Sequence, residues 1–214
     1  MITTLLFDMD GLIFDTESVY KLSWQHAASN QGLDLSDDFY QHFLGVQDGQ
    51  CESMMQERFG SALNLEQFKK ERDTHFHQSR ENGIAYKLGF DQLFQSLKSK
   101  NLRCALITSS PLRDVKHNFK NSGYLEQFEV VVTSEDVKNS KPAPDGYLMA
   151  CNKLNVTPQE CLVLEDSHNG ALSGLNAGCQ VIMVPDLLPP DKELIDKVTV
   201  VKSLDQVIGL LPTN

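Results

Sequence analysis

The chain has 214 residues, 41% hydrophobic and 22% charged, with a formal net charge of −10 and a pI of about 5.0. That length suffices for one sizeable core, alone or with an insertion, and the composition is ordinary for a globular protein. The acidic balance excludes partners that need a basic surface, a nucleic-acid backbone or an anionic membrane, but not a small anion held by the local field of a site.

The start, Met1-Ile2-Thr3-Thr4, has neither a basic region nor a long apolar segment. No secretion signal or transmembrane helix is expected, and a cytoplasmic location is the default. An apolar run over residues 2–7 then ends abruptly in Asp8-Met9-Asp10-Gly11, with Asp15 and Glu17 close behind. Two carboxylates one residue apart repel and resist burial unless a cation lies between them. The pattern predicts a strand that delivers acids to a charged site.

From about residue 17 to residue 87 the sequence reads as helical, with candidate helices at 18–30, 37–43, 49–59 and 65–82 and no convincing strand. After that, short β-branched apolar runs at 104–107, 129–132, 161–164, 181–184 and 198–201 alternate with helical patterns at 90–100, 112–122, 145–154 and 169–177. The runs are continuous rather than alternating, which suits strands buried on both faces. Gly123 and Gly178 read as helix stops. The expected fold is α/β: a doubly wound parallel-sheet, Rossmann-like core formed by 1–16 and 88–214, with an inserted all-helical cap domain at 17–87.

There are five cysteines, Cys51, Cys104, Cys151, Cys161 and Cys179, with no CxxC pair. Reduced thiols are expected, with Cys104 and Cys161 acting as buried small hydrophobes.

In an open parallel sheet ligands bind beyond the carboxyl ends of the strands. There the sequence places Asp8 and Asp10, then Thr108-Ser109-Ser110, then Glu165-Asp166-Ser167, with Lys141 in the proline-bounded loop Ser140-Lys141-Pro142-Ala143-Pro144. Carboxylates at this density suit a hard divalent cation, and Mg²⁺ favours few protein carboxylates plus phosphate oxygens. A hydroxyl and the Ser109 and Ser110 amides at a helix start can cradle a phosphate, and lysine supplies a point charge for it. One acid can attack phosphorus, and a second on the same side can protonate the leaving oxygen and then activate water. Taken singly, each piece is plainer: an Asp after a strand is a turn or cap residue, Thr108-Ser109-Ser110 an N-cap, Lys141 a solvated lysine, Glu165-Asp166 a loop acid pair. Their joint occurrence at successive strand ends favours the functional reading.

The four pieces, in order, resemble the haloacid dehalogenase superfamily in its phosphatase branch. The matching stretches are Asp8-Met9-Asp10-Gly11, Leu106-Ile107-Thr108-Ser109-Ser110, Ser140-Lys141-Pro142-Ala143-Pro144-Asp145 and Leu164-Glu165-Asp166-Ser167-His168-Asn169-Gly170. The resemblance spans nearly the whole chain and extends to β-phosphoglucomutase-like enzymes, including pseudouridine 5′-phosphatase and 2-deoxyglucose-6-phosphatase. It implies a cytoplasmic Mg²⁺-dependent hydrolase with an aspartyl-phosphate intermediate. Asp8 is then the nucleophile and a metal ligand, and Asp10 the general acid/base that also ligates metal through its carbonyl. Thr108, Ser109 and Lys141 bind the phosphoryl group, while Asp166 ligates metal with Glu165 in support. The Asp8/Asp10 pair excludes dehalogenase chemistry, whose branch lacks the second acid. The expected partner is a small phosphorylated metabolite, a sugar or nucleoside monophosphate. No nucleic acid or membrane is expected, and the cap topology suits a monomer.

The departures bear on alternatives. Tyr20 stands where the mutase has a cap histidine, and Gly45-Val46-Gln47-Asp48 lacks the mutase arginine that grips a distal phosphate. Asp48 would repel that phosphate, which favours a phosphatase over a phosphomutase. Lys87 replaces part of the usual Pro-Gly return from the cap, and with Lys21 it keeps a Schiff-base phosphonatase open. A phospho-aspartate signalling module would share the acids, hydroxyl and lysine, but Asp10 and the long insertion argue against it. His75-Phe76-His77 reads as a solvated helix face, His168 as a loop residue, and Trp24 and Phe43 as cap core. Specificity is expected in cap segments 18–24, 43–49 and 78–88.

Overall fold

The computed structural model describes residues 1–44, 46, 48–81, 83–120 and 122–212. It divides into two compact units, Thr16–Ile84 and the combination of Met1–Asp15 with Ala85–Asn214. The division at the return lies before the 87/88 boundary expected from sequence. Backbone pairing explains this: Asp15 N donates to Ala85 O at 2.9 Å and Lys87 N to Ile13 O at 2.8 Å, tying residues 85–87 to the N-terminal segment.

The discontinuous unit is a six-stranded sheet with β1 (Thr4–Phe7), β2 (Arg103–Ile107), β3 (Val130–Val132), β4 (Cys161–Glu165), β5 (Gln180–Met183) and β6 (Thr199–Val200). The order is β3-β2-β1-β4-β5-β6, and every pairing is parallel. Leu5, Leu6 and Phe7 of β1 and Val163 and Leu164 of β4 have no exposed surface, as central strands covered on both faces require. The edges behave differently. β6 is short and exposed, and β3 is only partly buried, so the continuous apolar pattern overstated burial at 129–132 and 198–201. An edge strand has one neighbour and is covered less.

The helices of this unit are α5 (Phe90–Ser99), α6 (Leu112–Asn118), α7 (Asp145–Leu154), α8 (His168–Asn176) and the short α9 (Leu204–Val207). α6 stops before the expected residue 122, where the Ser122 hydroxyl donates to Phe119 O at 2.7 Å in a turn. Tyr147, Ala150, Cys151 and Leu154 of α7 and Ala171 of α8 pack with Val163 and Val181 in one apolar cluster. All five cysteines are free and buried.

The helical unit comprises α1 (Thr16–Asn30), α2 (Asp37–Tyr40), α3 (Asp48–Phe59) and α4 (Leu65–Glu81). The predicted helix 37–43 is split, its last turn being a 3₁₀ segment at Gln41–Phe43. Asn82, the last residue of the predicted helix 65–82, lies outside the described residues. Trp24, Ala27 and Ala28 of α1 pack with Met55 of α3, Phe68 of α4 and Phe43, so Trp24 and Phe43 are core residues as expected. No helix among the described residues is long and apolar enough to cross a membrane.

Candidate active site

β1 lies between β2 and β4, and the chain order reverses there, so the two connections run to opposite sides. Phe7 pairs with Leu106 on one side and Leu164 on the other, which aligns the carboxyl ends of all three strands. Asp8 N continues the ladder by donating to Leu164 O at 3.1 Å. Asp8 is therefore held at the end of the central strand, 6% exposed, beside the fully buried Glu165.

Lys141 joins these two acids. Its Nζ donates to Asp8 Oδ1, to Glu165 Oε1 at 2.6 Å and to Ile107 O at 3.2 Å. Its loop is anchored from α8, where Ser173 Oγ donates to Ala143 O at 2.6 Å and Asn176 Nδ2 to Pro142 O at 3.1 Å. Lys141 is thus a paired charge, its side chain 12% exposed, and not a solvated one. Burial works against its ammonium, but Asp8 and Glu165 outweigh that and hold its pKa above the usual lysine range. Asp8 is pushed well above the usual carboxylate range by burial, with Lys141 opposing and Glu165 and Asp10 adding to the shift.

Glu165 is fixed from several directions. Tyr147 OH donates to Oε1 at 2.7 Å and Ser167 Oγ to Oε2 at 3.2 Å. Ser167 also caps α8, accepting from Gly170 N at 3.1 Å. A β-carbon at Gly170 would lie 1.9 Å from the Glu165 carboxyl carbon, so the helix start must be glycine for the carboxylate to sit there. Tyr147 went unnoticed in the sequence. Its position on the buried face of a helix is that of a core aromatic, and only the tertiary contact reveals its hydroxyl's partner.

Asp10 bonds to a different set of side chains. Ser110 Oγ donates to its Oδ2 at 2.7 Å, and Thr108 Oγ1 approaches the same oxygen at 3.4 Å. This corrects two readings of Thr108-Ser109-Ser110. The N-cap of α6 is Pro111 and no side chain caps it, so these hydroxyls are not capping groups. The Ser110 amide donates to Thr108 Oγ1 at 3.0 Å and is not free to cradle an anion. The exposed Ser109 lines, with Thr108, Lys141 and Gly146, a cavity of about 130 Å³.

Carboxylate oxygens of Asp8, Glu165 and Asp166 lie within 4.8 Å of one another. Burial, with Glu165 and Asp8 nearby, pushes the Asp166 carboxyl well above its usual range. One lysine among three crowded acids leaves the group short of positive charge, so this donor set fits a hard divalent cation. The Asp10 side chain is not in the set.

The remaining candidates bond to other partners. Lys87 Nζ pairs with Asp186 Oδ1 at 2.5 Å and Asp15 Oδ1 at 3.6 Å. Burial opposes its ammonium, yet Asp186 and Asp15 hold its pKa above the ordinary lysine value, the wrong direction for a Schiff-base amine. Lys21 pairs with Asp37 at 2.7 Å. His168 Nδ1 lies 3.3 Å from Asp191 Oδ2 on the surface. His75 is not part of a solvated face. It is half-buried, stacked on His26 at 4.2 Å between ring centroids, with Nδ1 3.0 Å from Ser23 Oγ. In the helical unit Tyr20 OH donates to Asp48 Oδ2, while Arg72 meets Glu52 at 3.1 Å and Asp48 at 3.6 Å. Gly45 and Gln47, part of the stretch compared with the mutase, lie outside the described residues.

Residues 5–184 match the family model for haloacid dehalogenase-like hydrolases. The chain is 30% identical over 182 residues to a phosphorylated carbohydrates phosphatase of Thermotoga maritima, covering 83% of this chain and 82% of the relative. It is 32% identical over 214 residues to hexitol phosphatase A of Escherichia coli, covering 94% and 91%. Among solved structures, a Thermotoga maritima protein carrying a provisional β-phosphoglucomutase name superposes with a TM-score of 0.83 at 27% identity over 98% of each chain. The aligned strand ends, the lysine between two acids and the family match over most of the chain lead to one conclusion: this chain belongs to the haloacid dehalogenase-like hydrolases.

Proposed function

We propose that the chain is a phosphatase that hydrolyses a small phosphorylated sugar or nucleoside through a phosphoryl-aspartate on Asp8. The observation that carries this reading is the different bonding of the two aspartates. Asp8 is locked to Lys141, whereas Asp10 is held by Ser110 and stands outside the acid cluster. Two acids in different environments can take different roles, one a nucleophile and the other a proton carrier.

In the first step an Asp8 oxygen attacks phosphorus as the bond to the leaving oxygen breaks, and Asp10 gives that oxygen its proton. In the second, Asp10 takes a proton from water, whose oxygen attacks phosphorus and releases Asp8. Lys141 neutralises charge gathering on Asp8 and the phosphoryl oxygens, and Thr108 and Ser109 are the phosphoryl-binding groups. Mg²⁺ would be held by Asp8, Asp166 and the Asp10 carbonyl with Glu165 in support, and supplies electrostatic stabilisation of the phosphoryl oxygens when bound.

The relatives named phosphorylated carbohydrates phosphatase and hexitol phosphatase A support a carbohydrate ester as substrate. A phosphomutase needs a free cation for a second phosphate. Arg72 of the helical unit is 6% exposed at its side chain and engaged by Glu52, Asp48 and Asp73. Arg72 is therefore not a free cation, and Asp48, being paired, repels an anion less than it would alone.

The test is hydrolysis of p-nitrophenyl phosphate with Mg²⁺ and with EDTA. Turnover should require the metal, vanish in Asp8→Asn and fall about 10²–10⁴-fold in Asp10→Asn. Metal-independent turnover, or full activity in Asp8→Asn, would overturn the proposal.

A further inference from the structure

One buried polar atom beside the acid cluster has no role in the steps above. Asp186 follows β5, and its side chain is 8% exposed. Lys87 Nζ satisfies Oδ1 at 2.5 Å. The other oxygen, Oδ2, is buried without a hydrogen-bond partner among the described residues. Leaving a charged oxygen desolvated and unpaired is costly, so a missing donor is implied.

The direction of that oxygen is recorded by Gly11. A β-carbon there would lie 2.3 Å from Asp166 Oδ2 and 3.3 Å from Asp186 Oδ2, so both oxygens converge over the same glycine. Gly11 has φ +79° and carries no side chain, which keeps the space open. Two carboxylate oxygens turned to one spot repel, unless what lies between them donates hydrogen bonds or carries positive charge. Hydrated Mg²⁺ does both, because it retains several of its waters when bound by few carboxylates.

We propose that Asp186 is an outer positioning residue of the divalent-cation site, its free oxygen accepting a hydrogen bond from cation-bound water while Lys87 fixes its other oxygen. This rests on the reading that Asp8, Glu165 and Asp166 bind such a cation. Lys87 then has a purpose that its departure from the usual Pro-Gly return did not suggest: it holds Asp186 in place and offsets its charge, so that a further acid can be buried beside three others.

The experiment is calorimetric titration of Mg²⁺ into the full chain, comparing wild type, Asp186→Asn and Asp166→Asn, with no substrate present. Asp186→Asn keeps the shape but makes one of its side-chain atoms an NH₂ donor, and should weaken Mg²⁺ binding about tenfold or more. Affinity within about twofold of wild type would overturn the inference; equal binding by wild type and Asp166→Asn would overturn the cation reading itself. Should Asp186→Asn fail to fold, Fe²⁺ in place of Mg²⁺ with ascorbate and peroxide can cut the wild-type chain beside the metal. Cuts at 185–187 together with 8–11 and 165–167, suppressed by excess Mg²⁺, support the proposal. Cuts confined to the latter two segments overturn it.

Discussion

Glu165 shows how much a single residue's position can depend on its neighbours' lack of atoms. It has no exposed surface and accepts from Lys141, Tyr147 and Ser167. Gly170 makes room for it. Gly170→Ala should gain up to about 1 kcal/mol of helix propensity. Against that stands a new carbon 1.9–2.0 Å from the carboxyl atoms of a residue that cannot move into solvent. Overpacking of this kind costs about 1–3 kcal/mol, so the clash wins. Urea denaturation of Gly170→Ala should show net destabilisation; equal or higher stability would mean that Glu165 is free to shift. The acids and Lys141 were legible in the sequence because charged residues at strand ends stand out against apolar runs. The partners of Tyr147 and Asp186 were not, since each looks ordinary until its partner is in view, and Gly170, though it closes the fourth matching stretch, gave no sign that it makes room for Glu165.

At the scale of the element, helical periodicity located α1 and α4 but not what their polar residues do. His75 of α4 stacks on His26 of α1, and burial, with His26 second, lowers its pKa from the ordinary 6.5. A histidine whose folded pKa lies below its unfolded value binds fewer protons when folded. Its contribution is intact above pH 6.5 and is lost as the pH falls below that value towards the folded pKa. The helical unit should therefore lose stability as the pH falls below 6.5, and His75→Gln should flatten that slope. Trp24 emission during urea unfolding at several pH values measures it. An unchanged slope in His75→Gln would assign the acid sensitivity to other groups. Spacing of i, i+2 on a helix argued against convergence of His75 and His77, but could say nothing about a third histidine on another helix.

At the scale of the whole molecule, the two units each have an apolar core, and the acid cluster and the only tryptophan fall in different ones. A cation bound at a hundred times its Kd adds about 2.7 kcal/mol to the unit that holds it. Mg²⁺ should raise the protection of β4 amides in hydrogen exchange by that order, while the unfolding transition seen by Trp24 moves less. Equal shifts by both probes would mean that the units unfold as one.

The sequence by itself determined the alternation of strands and helices, the helical insertion and the acids, hydroxyls and lysine at strand ends. Those features rest on local rules: side-chain periodicity, chain stops, and the unlikeness of charge to its apolar flanks. The tertiary structure alone decided which strands are edges, that Ser110 serves Asp10 and not a helix cap, that Lys87 is an ion-pair partner, and that Asp186 leaves one oxygen unpaired over Gly11. These depend on contacts between residues about a hundred positions apart or more, as Ser110 is from Asp10 and Asp186 from Gly11. Such contacts follow from sheet order and register, which no local pattern encodes.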